Sequence, residues 1–131
     1  MTKIIKFKDN TYLYGTLIEE GSNNNGEWEK YSNGKLIQRG TFDVGDISFN
    51  TAVGNAYRGA NSENIVVINY PLSFINSDNR IFVNIEGNSY LNISCNSTTR
   101  YNNRFTAYIT SPANTIVRNI KIIWSAEGKW K

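Results

Sequence analysis

Asn119-Ile-Lys-Ile-Ile-Trp-Ser-Ala-Glu-Gly-Lys-Trp130 is the stretch that decides the predicted fold. Every second position in it carries an apolar or a small side chain: Ile120, Ile122, Trp124, Ala126, Gly128 and Trp130. Because successive side chains of a β-strand point to opposite faces of a sheet, these residues share one face. Such an apolar face must be covered by a second layer, so the stretch predicts one strand of a two-layer body.

A hairpin is predicted upstream, in Trp28-Glu-Lys-Tyr-Ser-Asn-Gly-Lys-Leu-Ile-Gln-Arg-Gly40. The pair Asn33-Gly34 separates two strand-like runs, and both residue types tolerate the positive φ that a type I′ turn needs at its central positions. We therefore predict strands over Glu27–Tyr31 and Leu36–Phe42. One face of the second strand is expected to carry Leu36, Gln38, Gly40 and Phe42.

Alternation of apolar and polar residues predicts further strands, and no stretch keeps a helical apolar pattern for three turns. The predicted strands are Ile4–Lys8, Tyr12–Ile18, Ile65–Phe74, Ile81–Glu86, Tyr90–Cys95 and Phe105–Thr110. Gly21–Gly26 is predicted to be a loop, and Gly87-Asn88 a two-residue turn between strands. Many short strands separated by turn residues are typical of an antiparallel β-sandwich.

The length of 131 residues fits a single domain. Within it we predict an N-terminal strand and hairpin element over residues 1–42 and a β-sandwich head over residues 65–131. Residues 43–64, rich in Gly, Asn and Ala, are predicted to be a loop or link. The pieces are expected to form one compact domain.

The composition excludes several kinds of function. The chain has no histidine, which removes histidine-based catalytic triads and most zinc sites. It has no Asp-x-Asp-x-Asp-Gly loop for calcium, so we expect no metal and no cofactor. The 14 Lys and Arg are interspersed with 11 Asp and Glu and form no run, which argues against a nucleic-acid partner.

The single cysteine, Cys95, shares a predicted strand face with Leu91 and Ile93 and is expected to fill the core. The first residues alternate charged and apolar side chains, so we expect neither a signal peptide nor a membrane span. If the protein works outside a cell, we expect it to leave by a route other than ordinary secretion.

Three further stretches follow one another along the chain: Ile68-Asn-Tyr-Pro-Leu-Ser-Phe74, Arg104-Phe-Thr-Ala-Tyr-Ile-Thr-Ser111 and Ile122-Ile-Trp-Ser-Ala-Glu-Gly-Lys-Trp130. In that order they resemble the C-terminal receptor-binding head of phage and prophage tail fibres. The last stretch also resembles the final strand of H-type lectin sandwiches. The hairpin from Trp28 to Gly40 is similar to an element that precedes the head in many tail-fibre proteins.

The resemblance implies an H-type-lectin-like antiparallel β-sandwich that assembles as a homotrimer at the tip of a tail fibre. The implied partners are a host cell-surface glycan, further copies of the same chain, and the rest of the fibre or tail. The implied location is the tail of a virion or an extracellular particle. Three linked sites would raise the avidity of weak sugar contacts by roughly 10²–10⁴.

Two loops and one tryptophan supply the candidate carbohydrate-binding residues. A sugar ring offers hydroxyl groups beside small apolar C–H faces, so its site needs planar aromatic side chains next to Asn, Asp or Arg. The candidates with that mixture are Tyr57, Arg58, Arg100, Tyr101, Asn102, Asn103, Arg104 and Trp28. The alternative is that the loops are ordinary solvated segments whose arginines cover apolar neighbours, and that Trp28 has a packing role.

Two other functions stay open. The domain could be a purely structural one that trimerises and caps a fibre. It could also be a polysaccharide depolymerase with a site shared between subunits, in which Glu27 and Glu29 lie roughly 7 Å apart on one strand face. The sequence Glu-Trp-Glu-Lys is more typical of a charged outer hairpin face, so we predict that the protein is not an enzyme.

Overall fold

The computed structural model of the protein describes residues 15–131, and within them the chain is almost entirely antiparallel β-structure. The strands are β1 Leu17–Asn23, β2 Gly26–Tyr31, β3 Lys35–Val53, β4 Ala56–Gly59, β5 Ile65–Asn69, β6 Arg80–Glu86, β7 Asn92–Arg100, β8 Arg104–Thr110 and β9 Thr115–Lys129. A short 3-10 turn, Ala60–Ser62, follows β4. The strand predicted over Ile4–Lys8 and the first three residues of the one predicted over Tyr12–Ile18 lie outside the described residues, and Leu17 and Ile18 begin β1. No helix in the described part of the chain is long and apolar enough to cross a membrane.

The strands form two sheets. The larger sheet has the order β1-β2-β3-β9-β6, with β4 paired to the far end of β3, and the smaller has the order β5-β8-β7. Buried residues of both sheets form one apolar cluster, in which the ring centres of Phe105 and Trp124 are 5.9 Å apart. The prediction of an antiparallel β-sandwich is therefore confirmed.

The last strand has the apolar face that its alternation predicted. Ile120, Ile122, Trp124 and Ala126 are buried in the core, while Lys121 and Ile123 on the opposite face are exposed. β9 pairs with β3 on one side, from Lys129 to Thr115, and with β6 on the other, so it is an inner strand of the larger sheet. The core position predicted for Trp124 is confirmed.

The hairpin predicted around Asn33-Gly34 joins β2 to β3, but its turn differs from the predicted type. Gly34 has a φ of +96°, whereas Asn33 is not among the residues with positive φ. The Gly34 N–H donates to the Tyr31 carbonyl at 3.0 Å, and Ser32, Asn33 and Gly34 connect the two strands. Only the glycine therefore needs the left-handed backbone, as in three-residue hairpin loops.

Residues 43–64 are not the loop or link that was predicted. β3 continues to Val53, and the buried Ile47 and Phe49 pair with Val117 and Thr115 of β9. Gly45 has a φ of +85° and lies where the β3 and β9 pairing shifts register. The Gly and Asn residues that suggested a loop thus lie at irregular positions within a long strand and in the turns around β4.

Two predicted turns also differ from the structure. β1 runs through Gly21 to Asn23, so the loop predicted over Gly21–Gly26 shortens to a turn at Asn24 and Asn25. The Gly87-Asn88 pair does not close a hairpin, because β6 belongs to the larger sheet and β7 to the smaller. Asn88 instead contacts the β9 backbone: its N–H donates to the Arg118 carbonyl at 3.2 Å and its Oδ1 accepts the Arg118 N–H at 2.9 Å.

Candidate functional site

A cavity of about 710 Å³ opens at the side of the sandwich where the edge strands β6 and β7 contribute to its wall. The end of β9 and residues from the connection between β5 and β6 complete the lining. Four of its side chains are basic and two are acidic: Lys35, Arg80, Arg100, Lys129, Asp78 and Glu127. We call this the basic cavity.

Arg100 is the residue of the predicted set that lines the basic cavity. Its Nε is buried and has no hydrogen-bond partner among residues 15–131. An unpaired polar atom in such a position costs free energy, and the cost is larger when the group is charged. The guanidinium therefore stands where a ligand with acceptor oxygens would stabilise it.

Buried polar groups connect Tyr70, Asn79 and the turn after β7 at the edge of the basic cavity. The Tyr70 hydroxyl donates to Asn79 Oδ1 at 3.0 Å, and Asn79 Nδ2 donates to the Tyr101 carbonyl at 3.3 Å. Burial raises the pKa of Tyr70, and the positive charge of Arg100 opposes that rise in part. Tyr70 is therefore a neutral donor at physiological pH, which fixes the direction of this hydrogen bond.

Cys95 also lines the basic cavity, and it is exposed rather than part of the core as predicted. Its pairing with Ala107 places it on β7, the edge strand of the smaller sheet. The Cys95 side chain faces the basic cavity between this edge and the larger sheet, so it is not covered by that sheet. Although the residue as a whole is exposed, partial desolvation raises the pKa of the thiol.

The turn from Tyr101 to Asn103 is held by its backbone. The Asn102 carbonyl accepts the Phe74 N–H at 2.8 Å, and the Asn103 carbonyl accepts the Tyr70 N–H at 3.0 Å. Both bonds tie the turn to the connection between β5 and β6. Asn102 and Asn103, predicted as ligand residues, thus position the turn through their main chain.

Tyr101 and Arg104 form a stacked pair on the surface of this turn. The Arg104 guanidinium carbon lies 4.5 Å from the centre of the Tyr101 ring, and Arg104 Nη1 donates to Asn103 Oδ1 at 3.2 Å. Tyr101 is 42% exposed. The predicted combination of a planar aromatic ring beside arginine and asparagine is therefore present at this end of the sandwich.

Tyr57 and Arg58 lie at the opposite end. Their strand, β4, pairs with the last residues of β3, and the Tyr57 backbone bonds to Ser111 after the end of β8. The seven-residue strand β8 begins at Arg104 and ends just before Ser111, which is roughly 20 Å of extended chain. Within one chain, the two predicted loops therefore form separate surfaces.

Trp28 is half-buried and packs against the core cluster. Its indole N–H donates to Glu19 Oε2 at 3.0 Å, and its ring occupies the space beside Gly21 that a side chain would need. These contacts favour a packing role for Trp28 over an exposed platform for a sugar.

Glu27 and Glu29, the carboxylates considered for a depolymerase, both form ion pairs with Arg39. Glu27 Oε1 lies 3.7 Å from Arg39 Nε, and Glu29 Oε1 lies 3.5 Å from Arg39 Nη1.

A second concavity, a groove of about 450 Å³, lies along the larger sheet near β6. Phe82 and Ile123 line it and are exposed, beside Arg39, Asn84 and Ser125. The alternation of β6 and β9 predicted which side chains face away from the core. It did not show that a concave surface would form there.

Among the described residues, no group of three or more His, Cys, Asp or Glu side chains is placed to hold a metal ion.

The residues of the basic cavity were largely missed by sequence reasoning. Asn76-Ser-Asp-Asn-Arg80 is a polar run next to a predicted strand, which is the one local signal that the sequence offered. Lys35 and Lys129 are brought together by the pairing of β3 with β9, and Cys95 comes from the other sheet, so only the folded arrangement of the two sheets assembles the lining.

Comparison with solved structures finds a similar fold in the tail fibres of R-type pyocins. A C-terminal fibre fragment of the P. aeruginosa R1 pyocin superposes with a TM-score of 0.59 at 14% identity, over 87% of this chain and 29% of that chain. An N-truncated R1-type pyocin tail fibre superposes with a TM-score of 0.58 at 14% identity, over 87% of this chain and 88% of that chain. The protein thus spans less than a third of the longer fibre fragment and most of the shorter one.

No protein-family model matches the chain, and no curated protein sequence matches it. The structural likeness, at this low identity, shows that the all-β fold is shared with pyocin tail-fibre fragments.

Proposed function

We propose that the protein is the tip of a phage or phage-derived tail fibre that binds host cell-surface carbohydrate as a homotrimer. The observation that carries the proposal is the shared fold with pyocin tail-fibre fragments over 87% of the chain. In this proposal the domain joins the rest of a fibre or tail and is located on a virion or an extracellular particle.

The end of the sandwich that holds the Tyr101 turn supplies the sugar contacts in this proposal. Tyr101 is exposed and stacked with Arg104, so it offers a planar apolar surface next to cationic donors. The turn is fixed by backbone hydrogen bonds to the segment after β5, which lowers the entropic cost of ordering it around a ligand. Such a rigid aromatic surface fits the apolar face of a sugar ring.

The outer face of the smaller sheet is the surface that we assign to trimer contacts. Ile65 and Val67 are 42% and 47% exposed on the edge strand β5, and they pair with Tyr108 and Thr106. Neither of these pairs includes a charged residue, whereas the outer face of the larger sheet carries the ion pairs of Arg39 and Arg80. Charged residues are depleted at the centre of typical protein–protein interfaces.

Binding of the isolated protein to host cells and to their purified wall polysaccharide tests the proposal. We expect Tyr101→Ala to weaken binding about tenfold or more, because stacking of one aromatic ring is worth about 1–3 kcal/mol. Tyr90→Ala is the matched control, since Tyr90 is 86% exposed and lies outside this turn. Equal binding by the two variants would contradict the assignment of the turn.

Two outcomes would favour the alternative functions. A stable trimer that binds neither cells nor polysaccharide would favour a structural cap. Release of reducing ends from the polysaccharide, lost in Glu29→Gln, would favour a depolymerase. We expect no such release, because Arg39 lies within ion-pair distance of both carboxylates and the residues lie on a sheet face.

A further inference from the structure

The basic cavity has a surplus of positive charge. Arg80 and Glu127 form an ion pair at 3.8 Å, and Asp78 is the other acidic residue in the lining. Arg100 and Lys129 stand against Asp78, so the lining is net positive even when Lys35 is left out of the sum. A concave surface with a net positive charge raises the local concentration of anions.

Arg100 gives that charge a specific position. Its Nε is enclosed by protein and unpaired within the described part of the chain, although the residue lines the cavity. An arginine guanidinium presents parallel N–H donors that match the two oxygens of a carboxylate or phosphate. Because Nε itself is enclosed, an anion in the cavity would contact the part of the Arg100 side chain that lines it, and would offset a charge whose Nε has no acceptor among residues 15–131.

Hydrogen-bond donors surround the same space. Asn76 Oδ1 accepts the Asp78 N–H and Asn96 Oδ1 accepts the Thr98 N–H, each at 2.9 Å. The carbonyl oxygens of both side chains are thus turned to the backbone, and their amide groups are donors for a ligand. Ser97 adds a hydroxyl to the lining. Such neutral donors suit the hydroxyl oxygens of a sugar ring.

We propose that the basic cavity binds the carboxylate or phosphate group of an acidic saccharide, with Arg100 as the principal contact to the anion. The proposal rests on the proposed carbohydrate binding and adds the class of sugar. Asn79 lines the cavity and donates to the Tyr101 carbonyl, so the Tyr101 turn lies next to the proposed anion site.

Cys95 provides a direct probe, because it is the single cysteine of the chain and lines the cavity. The rate of its alkylation by iodoacetamide is measured with glucuronate, inorganic phosphate, glucose or sodium chloride at equal ionic strength. We expect glucuronate and phosphate to slow alkylation in a saturable way and glucose to do so far less. Equal protection by glucuronate, glucose and sodium chloride would overturn the proposal.

Variants then test the role of Arg100. Arg100→Gln is expected to weaken glucuronate binding about tenfold, since hydrogen bonds to charged groups are the stronger ones. Arg80→Gln is expected to weaken binding less, and because the side chain is 74% exposed, it is expected to change the stability of the fold little. Arg118→Gln is the control, because Arg118 pairs with Asp46 outside the cavity. Unchanged glucuronate affinity in both cavity variants would overturn the proposal.

Cell binding separates this inference from the proposed function. If the protein binds host polysaccharide while glucuronate and phosphate leave Cys95 unprotected, the anion site is overturned and the proposed function stands. If the anions protect Cys95 but no host polysaccharide is bound, the anion chemistry is supported and its assignment to a host saccharide is overturned.

Discussion

Gln38 shows how one buried polar side chain can fix the position of a loop. Its side chain is fully buried on the core face of β3. Nε2 donates to the Leu72 carbonyl at 2.9 Å and Oε1 accepts the Leu72 N–H at 2.8 Å. The amide thus pairs with Leu72 as a neighbouring strand would, and it attaches the segment after β5 to the larger sheet.

We expect Gln38→Met to lower the free energy of unfolding by roughly 2–4 kcal/mol, because both polar groups of Leu72 lose their partner. Urea denaturation followed by tryptophan fluorescence measures the change. Asn50→Leu, on an exposed position of the same strand, is expected to change it by less than about 0.5 kcal/mol. A loss of similar size in both variants would show that the Gln38 bonds contribute little.

Tyr70 gives the fold a dependence on alkaline pH. Burial raises its folded-state pKa above the usual value of about 10, so above that pH the unfolded chain binds fewer protons than the folded one. The stabilisation is complete below about pH 10 and is lost as the pH rises further. We therefore expect the stability difference between wild type and Tyr70→Phe to shrink between pH 9 and about 11. Urea midpoints at both pH values test this, and a constant difference would contradict it.

At this scale, alternation predicted that Gln38 would share a face with Leu36, but it did not identify a partner for the amide. The partner, Leu72, is 34 positions away, and only the folded arrangement of the two sheets brings it near. Cys95 differs from Gln38, because it was expected in the core and is exposed. Its face was predicted from alternation, but its exposure depends on the cavity at the sheet edge.

The Asp46 side chain stabilises the backbone where the pairing of β3 with β9 shifts register. Asp46 Oδ1 accepts the Asn119 N–H at 2.9 Å, and Asp46 Oδ2 pairs with Arg118 Nη1 at 3.1 Å. Asn119 has a φ of +57°, which asparagine tolerates better than most residues. One carboxylate thus satisfies the backbone where the regular ladder is interrupted.

A matched pair of substitutions separates the two roles of Asp46. Asp46→Asn keeps an acceptor for the Asn119 N–H and removes the ion pair, so we expect a loss below about 1 kcal/mol. Asp46→Ala removes both and is expected to cost about 1–2 kcal/mol. Chemical denaturation measures both values. Equal losses would mean that the backbone cap contributes nothing.

Strand prediction succeeded where alternation was uninterrupted, even over the short strands β6 and β8, and failed where Gly and Asn residues interrupt it. The stretch Asn119–Trp130 has six alternating apolar or small positions, and β9 contains the first five of them. Within residues 43–64, Ile47 and Phe49 were the main signal, and the surrounding Gly and Asn residues matched a loop equally well. Pairing with β9 over this length decides the strand, and pairing between distant segments is not visible in local sequence.

For the whole molecule, the proposed trimer leads to a prediction on mass. We expect light scattering to give three times the 14.9 kDa mass of the chain. Val67→Lys should shift the protein toward a monomer that keeps its β-sheet circular dichroism, because a charge would be buried in the contact. Asn50→Lys is the control. A monomeric wild type, or a trimer in the Val67→Lys variant, would contradict the assigned face.

The arrangement of the candidate site could be predicted only in part. The sequence placed Arg100, Tyr101 and Arg104 together because they are near neighbours in the chain, and in the structure Arg104 stacks on the Tyr101 ring. It could not place Tyr57 and Arg58 relative to them, because that distance depends on the length of β8 and the pairing of β4. The cavity itself combines residues from across the chain.

The central pairing of β3 with β9 also has a consequence for synthesis. Residues 35–49 find their partners in residues 115–129, and the Trp130 indole N–H donates to the Tyr31 carbonyl at 2.9 Å. Such distant contacts make folding slow, because a long loop must close before the contacts form. During translation the larger sheet therefore stays open until β9 has been synthesised. Translation that stops before β9 leaves a chain with an exposed, aggregation-prone β3.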